Sequence, residues 1–430
     1  MFPQTQHRRL RVAAVAITLL TAASLALAGC SANSTPSSSP SAAANGVDDG
    51  TQLTAWTRSG TKTQSQALVN AYNASHKNHV TLTIIPDDNY QAKVGSAAGS
   101  GSLPDLFSSD IVYLPNYTSK GLFADLTARI KAVPYASSLN KAQINAGTYK
   151  GKKFVMPSVV DASVIFYNKD LYTKAGLDPE KPPTTLAEWA TQAKAISALG
   201  LPGVSGTYFG GTCAGCMAFT LWPSIWASGG TVMNAAGPSA TFDSTEAKGV
   251  FAAYRGLVAS AGAGTKGETG ATWTAPFADG KVGLMPMPGS ILGTMPKSTG
   301  VSGIPGVNGG ESSFVGGDGI GIAASSKHQD AAWNYLAWTE TKAAQVEVIA
   351  KSGGLVTRSD FANNSYSSAD PRVVKINQLV AEGQTPSALN YGAAFNDANG
   401  PWLTLFRNQV FGDASKLTAN NSAISAVLAK

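Results

Sequence analysis

The chain of 430 residues is 43% hydrophobic and only 13% charged, so it is globular, long enough for about two domains, and surfaced with Ser, Thr, Asn and Gly more than with ion pairs. Its net charge of +6 falls to about +3 once Arg8, Arg9 and Arg11 leave with an N-terminal leader, and that charge is too small and scattered to serve nucleic acid. With four histidines, three cysteines and no phosphate- or dinucleotide-binding fingerprint, the composition argues against a metal or a cofactor.

The N-terminus carries a basic region at Arg8, Arg9 and Arg11, then an apolar stretch over 12–25, too short to span a membrane comfortably, ending in LALAGC. That ending resembles the bacterial lipobox, so residues 1–29 are expected to be a signal peptide and Cys30 the lipidated first residue, stably anchored by two or more acyl chains on the extracytoplasmic face of the cell membrane. Arg8-Arg9 leaves twin-arginine export open beside the general route. Residues 30–50, rich in Ser, Ala and Pro, read as a disordered tether reaching about 25 Å as a flexible coil. The remaining cysteines, Cys213 and Cys216, form a CAGC pair that outside the cytosol is expected to be a disulfide.

Order is expected from residue 51. A strand over 53–57, a polar turn over 58–61, a helix over 64–75 and a strand over 79–86 form a βαβ unit of a parallel sheet. A helix over 90–98 leads to a third strand over 105–108. Ligands of open α/β sheets lie at the carboxyl ends of strands, which places Arg58, Ser59, Ser109 and Asp110 at one rim. Residues 159–168, VVDASVIFYN, are β-branched, small or aromatic except for Asp161, and read as a buried strand crossing between two lobes. A lone acid there needs a partner or a ligand. Further along, a capped helix is expected over 185–198 with Glu188 as capping-box partner, then helices over 217–227, 244–261 and 328–351, and strands over 282–287 and 320–324.

The order and spacing of LPDLFSSD, YKGKKFVMPSVVDASVIFYNKDLYTKAGL, PPTTLAEW, FADGKVGLMPMPGS, GGDGIGIAASSKHQDAAWNYLAW and NGPWLTLF are more specific than any one of them. Together they resemble the carbohydrate-type extracellular solute-binding proteins of bacterial ABC importers, over nearly all of residues 51–430. The resemblance implies a two-lobed α/β periplasmic-binding-protein fold of type II with discontinuous domains, 51–160 with 305–360 as one lobe and 161–304 with 361–430 as the other, joined by a hinge. It implies a monomer that captures a mono- or oligosaccharide and hands it to permease subunits, with no cofactor. By the same resemblance Asp161, six residues before Tyr167, lies in the ligand cleft with Ser109, Asp110, Phe219, Trp222, Gly289, Ser290, Gly317, Asp318 and the stacking aromatic Trp402. Ser290 and Phe219 depart from residues common in maltose-type members.

Two alternatives share these residues. The same fold binds a glycerophosphodiester, a peptide or an amino acid, with Arg58 or Arg358 to engage an anion. A secreted glycoside-processing enzyme uses Asp110 and Asp161 as paired carboxylates. GTCAG, a cysteine form of the nucleophile elbow, lacks a good preceding strand and a convincing histidine base, so catalysis there is not expected.

Overall fold

A computed structural model describes residues 45–234 and 239–430. The signal peptide and Cys30 lie outside the described residues, as do residues 31–44 of the expected tether. Residues 45–50 are not free chain. Asn78 accepts from the amides of Asp49, Gly50 and Thr51 and donates to the Val47 carbonyl, while Asn334 holds the carbonyl of Asn45. The ordered body therefore starts earlier than composition suggests.

Seven principal strands form one sheet: β1 (Gln52–Arg58), β2 (His79–Ile85), β3 (Leu106–Asp110), β4 (Met156–Asn168), β5 (Leu284–Pro288), β6 (Thr299–Ser302) and β7 (Val315–Ile322). Their order is β2-β1-β3-β7-β4-β5, with β6 also on β4. As expected from the strand–helix–strand pattern, β1 runs parallel to β2 and β3, while β7 is antiparallel to β3 and β4. The helix Lys62–Asn73 packs Leu68, Val69 and Tyr72 inward, and the helix Asp87–Ser100 stops at Gly101, whose φ of +67° suits a residue without Cβ.

The long strand β4 changes neighbours part-way along. Met156 to Ala162 pair with β7, then Ser163 to Asn168 pair with β5 and β6. Ser163 marks the change: its amide donates to the Phe314 carbonyl and its hydroxyl accepts from the Phe314 amide. Successive side chains of a strand point to opposite faces. Val160, Ala162, Val164 and Phe166 accordingly join one apolar cluster, and Ile165 and Tyr167 another.

Two elements differ from expectation. β7 begins five residues earlier than predicted, at Val315, and runs through GGDG, whose glycines carry little strand propensity and hid it. Gly317 has φ +103°, and a Cβ there would lie 1.9 Å from the Val159 carbonyl oxygen, so this close approach of β7 to β4 excludes any side chain. The single helix expected over 328–351 breaks after Thr339. Thr341 caps a new start, and Glu340 between them turns inward to accept from the Thr357 hydroxyl at 2.7 Å.

Candidate ligand cleft

The ends of these elements converge on a cleft of about 350 Å3. Arg58 at the end of β1 and Asp110 at the end of β3 stand at the carboxyl edge of the sheet, and Asp161 projects from β4. Gly316 and Gly317 line it at the start of β7, and Ser290 in the turn Gly289–Thr294 that follows β5.

Arg58 is the organising charge. Its Nε donates to Asp318 Oδ1 and Oδ2 at 2.9 and 3.0 Å, and Nη2 donates to Oδ1 at 2.6 Å. Asp318 is fully buried on β7, and its main-chain carbonyl accepts from Gln143 Nε2 at 2.7 Å. The same Nη2 lies 3.5 Å from Asp110 Oδ2, and Nη1 reaches Asp87 at 3.3 Å. Burial raises the Asp110 pKa to about 6 against the pull of Arg58, with Asp318 adding to the rise.

On the opposite wall Asp161 is tied to the turn after β5. Its Oδ1 accepts from the amides of Ser290 at 2.9 Å and Ala162 at 2.7 Å, and its Oδ2 from the Ser290 hydroxyl at 2.6 Å. Burial raises its pKa, and the Ser290 bonds oppose the rise. Phe219 and Trp273 add aromatic surface. The helix Ala214–Ala227 that carries Phe219 begins at the disulfide Cys213–Cys216, where the Cys216 amide donates to Cys213 Sγ at 3.2 Å. The wall is completed by Tyr391 and by Asn396, whose Nδ2 donates to the Tyr113 hydroxyl at 3.3 Å. Carboxylates beside flat aromatic faces suit a polyhydroxylated ligand, hydroxyls on the acids and the apolar ring face on the aromatics. Among the described residues no group of three or more His, Cys, Asp or Glu is placed to hold a metal ion.

The pattern of bacterial extracellular solute-binding proteins matches residues 58–346. The chain belongs to that family. Among solute-binding relatives, diacetylchitobiose binding protein DasA of Streptomyces coelicolor is 26% identical over 313 residues, 67% of this chain and 68% of its own. In fold, the chain matches the cyclic alpha-maltosyl-1,6-maltose binding protein of Arthrobacter globiformis with a TM-score of 0.73 at 24% identity, covering 88% of this chain and 99% of the other. It also matches an ABC transporter solute binding protein of Thermotoga lettingae, bound with alpha-D-tagatose, at 0.76 and 19% identity over 88% and 100% of the two chains. The fold is the two-lobed α/β architecture of these binding proteins.

Of the residues expected at the solute site, Asp110, Asp161, Phe219, Ser290 and Gly317 line the cleft. Asp318 stands beneath it as the counter-charge of Arg58. Ser59 and Ser109 do not line it: the Ser59 hydroxyl donates to the Ile85 carbonyl at 3.3 Å, and Ser109 is fully buried with its hydroxyl on the Asp110 carbonyl. Gly289 is buried under Ser290, where a Cβ would lie 3.0 Å from the Ala162 carbonyl oxygen.

Trp222 and Trp402 correct the expectation of stacking aromatics. Both are fully buried, their rings 5.3 Å apart, and Trp402 Nε1 donates to the Ala214 carbonyl at 3.0 Å. They support the helix that presents Phe219 and do not line the cleft. Arg358 lies beside a second cavity of about 300 Å3. It is sandwiched between Tyr135 and Phe361 and bound to Asp360 and the Glu340 carbonyl. The site reading missed Gln64, Ile291, Tyr391 and Asn396, and left Trp273 among general aromatic candidates. Tyr391 precedes and Asn396 closes a π-turn at Gly392–Asn396, where a Cβ on Gly392 would lie 2.3 Å from the Tyr113 ring. No periodic pattern marks such a segment.

Proposed function

We propose that this solute-binding protein captures a carbohydrate, a mono- or oligosaccharide, in the cleft and delivers it to the permease subunits of an ABC importer. The observation that carries the reading is the meeting of Asp110 and Asp161 with Phe219 and Trp273 in one recess beside the crossing strand β4. Relatives named for diacetylchitobiose and for cyclic maltosyl-maltose support a sugar as the cargo. Residues 51–160 with 305–360 move against 161–304 with 361–430 about the strands at the crossing, and closure on the ligand presents the form the permease recognises. The protein works as a monomer and without turnover of its cargo. Lipid on Cys30 holds it at the outer face of the cytoplasmic membrane, and Cys30→Ala is expected to shed it into the medium.

The test is calorimetric titration with mono- and oligosaccharides beside amino acids, peptides and glycerophosphodiesters. Saturable binding of a sugar, recovered unchanged, is expected. Binding confined to a non-sugar class, or hydrolysis of the bound sugar, overturns the reading.

A further inference from the structure

The charges facing the cleft do not balance. Arg58 is the sole cation among its lining residues, and each of its nitrogens already faces a carboxylate, Nε and Nη2 at Asp318 and Nη1 at Asp87. Asp110 shares that guanidinium only at 3.5 Å, and Asp161 is met by the neutral donors of Ser290 and Ala162. The cleft thus carries carboxylate charge that no cation of its own matches, and it offers an anionic solute no cation that is not already paired with carboxylates.

A second, independent feature points the same way. Tyr391 lines the cleft and is 1% exposed, yet among the described residues its hydroxyl makes no hydrogen bond. It lies within electrostatic reach of Asp110 and of Tyr113, both of which push its pKa up in addition to burial. The hydroxyl oxygen is not sealed from the cleft, so it stands open to a ligand group there. An ammonium has three donors and no acceptor, so a carboxylate and a phenol oxygen facing the same cleft suit it, and the faces of Phe219 and Trp273 add cation–π attraction.

We propose that the cleft takes a saccharide bearing a protonated amine in preference to the same saccharide in uncharged form, the ammonium lying between the Asp110 carboxylate and the Tyr391 hydroxyl. This deepens the carbohydrate reading and rests on it. The groups facing Asp110 are Arg58, Asp318, Asp87, Tyr113, Tyr117 and Tyr391. Burial brings Asp110 up to about 6. An ammonium favours its ionised form, so affinity for the amine sugar falls as pH drops through about 6, while an uncharged sugar has no charge to lose.

The test uses a matched trio that differs only at C2: cellobiose, diacetylchitobiose and its de-N-acetylated form, with glucose and glucosamine as the monosaccharide pair. Titrations run from pH 5 to 8. The amine member of a pair is expected to bind about tenfold or more tighter at neutral pH, the value of one charged hydrogen bond. That advantage shrinks at pH 5, and in Asp110→Asn the ratio of the two affinities falls towards one whatever the variant costs the neutral sugar. Tyr391→Phe removes one acceptor and is expected to reduce the preference while leaving the melting curve intact, so the inference stays testable if Asp110→Asn folds poorly. Equal or weaker binding of the amine members overturns the inference and leaves sugar capture standing. Binding of no sugar in either form overturns both.

Discussion

Replacing Arg58 by methionine tests whether this arginine is first a structural counter-charge or first a ligand donor. Asp318 is fully buried, and Arg58 supplies its Nε and Nη2 bonds at 2.6 to 3.0 Å. The remaining side-chain donor to it is the Ser108 hydroxyl at 3.4 Å, too long to replace a guanidinium. Leaving a buried carboxylate without its cation costs about 3–5 kcal/mol, whereas replacing both partners by apolar groups is near neutral. Arg58→Met is therefore expected to destabilise by about 3–5 kcal/mol, Asp318→Leu by a similar amount, and the double variant to recover most of the loss. The contact with Asp87, 45% exposed, adds little. Urea denaturation of wild type, both single variants and the double variant gives the coupling directly, and should return about 5 kcal/mol or more. An Arg58→Met protein within about 1 kcal/mol of wild type, or a double variant no more stable than the singles, would refute the assignment.

Other perturbations separate the cleft from its supports. Trp402→Ala removes a fully buried ring and should lower stability by about 3–5 kcal/mol, while Trp402→Phe keeps ligand affinity close to wild type; a large affinity loss in the phenylalanine variant would restore Trp402 as a contact. Asp161→Ala frees the Ser290 turn and is expected to raise Kd about tenfold or more, read by calorimetry. Burial raises the Glu340 pKa from 4.5 to about 8, and its Oε1 lacks a hydrogen-bond partner. The folded state thus keeps a proton that the unfolded state releases, and wild-type stability falls as pH rises from about 4.5 to about 8. Glu340→Gln removes that slope, so melting curves at pH 5 and pH 8 should show the variant gaining on wild type at the higher pH.

Local chemistry made part of this molecule readable. The β-branched run of β4 announced its burial, and Asp161 within it announced a polar task. The capping box was legible too: Thr185 accepts from the Glu188 amide at 3.1 Å, and Glu188 from the Thr184 amide at 2.7 Å. The strand-end rule found Arg58 and Asp110, but could not pair Arg58 with Asp318, 260 residues away. The helix Ala214–Ala227 is apolar on nearly every side, so no polar face told Phe219, at the cleft, from Trp222, in the core. β7 was hidden by its glycines, which the close passage over Val159 requires and which strand propensity penalises. Tyr391 and Asn396 sit on irregular backbone, where only the assembled fold fixes direction.

The most direct test is a crystal structure of the protein with a sugar found to bind it. The account predicts one sugar in the cleft, a ring face against Phe219 or Trp273 and polar groups within hydrogen-bonding distance of Asp110. A sugar seated instead in the cavity beside Arg358 and Asn377, with the cleft at Asp110 and Asp161 left without it, would contradict the account.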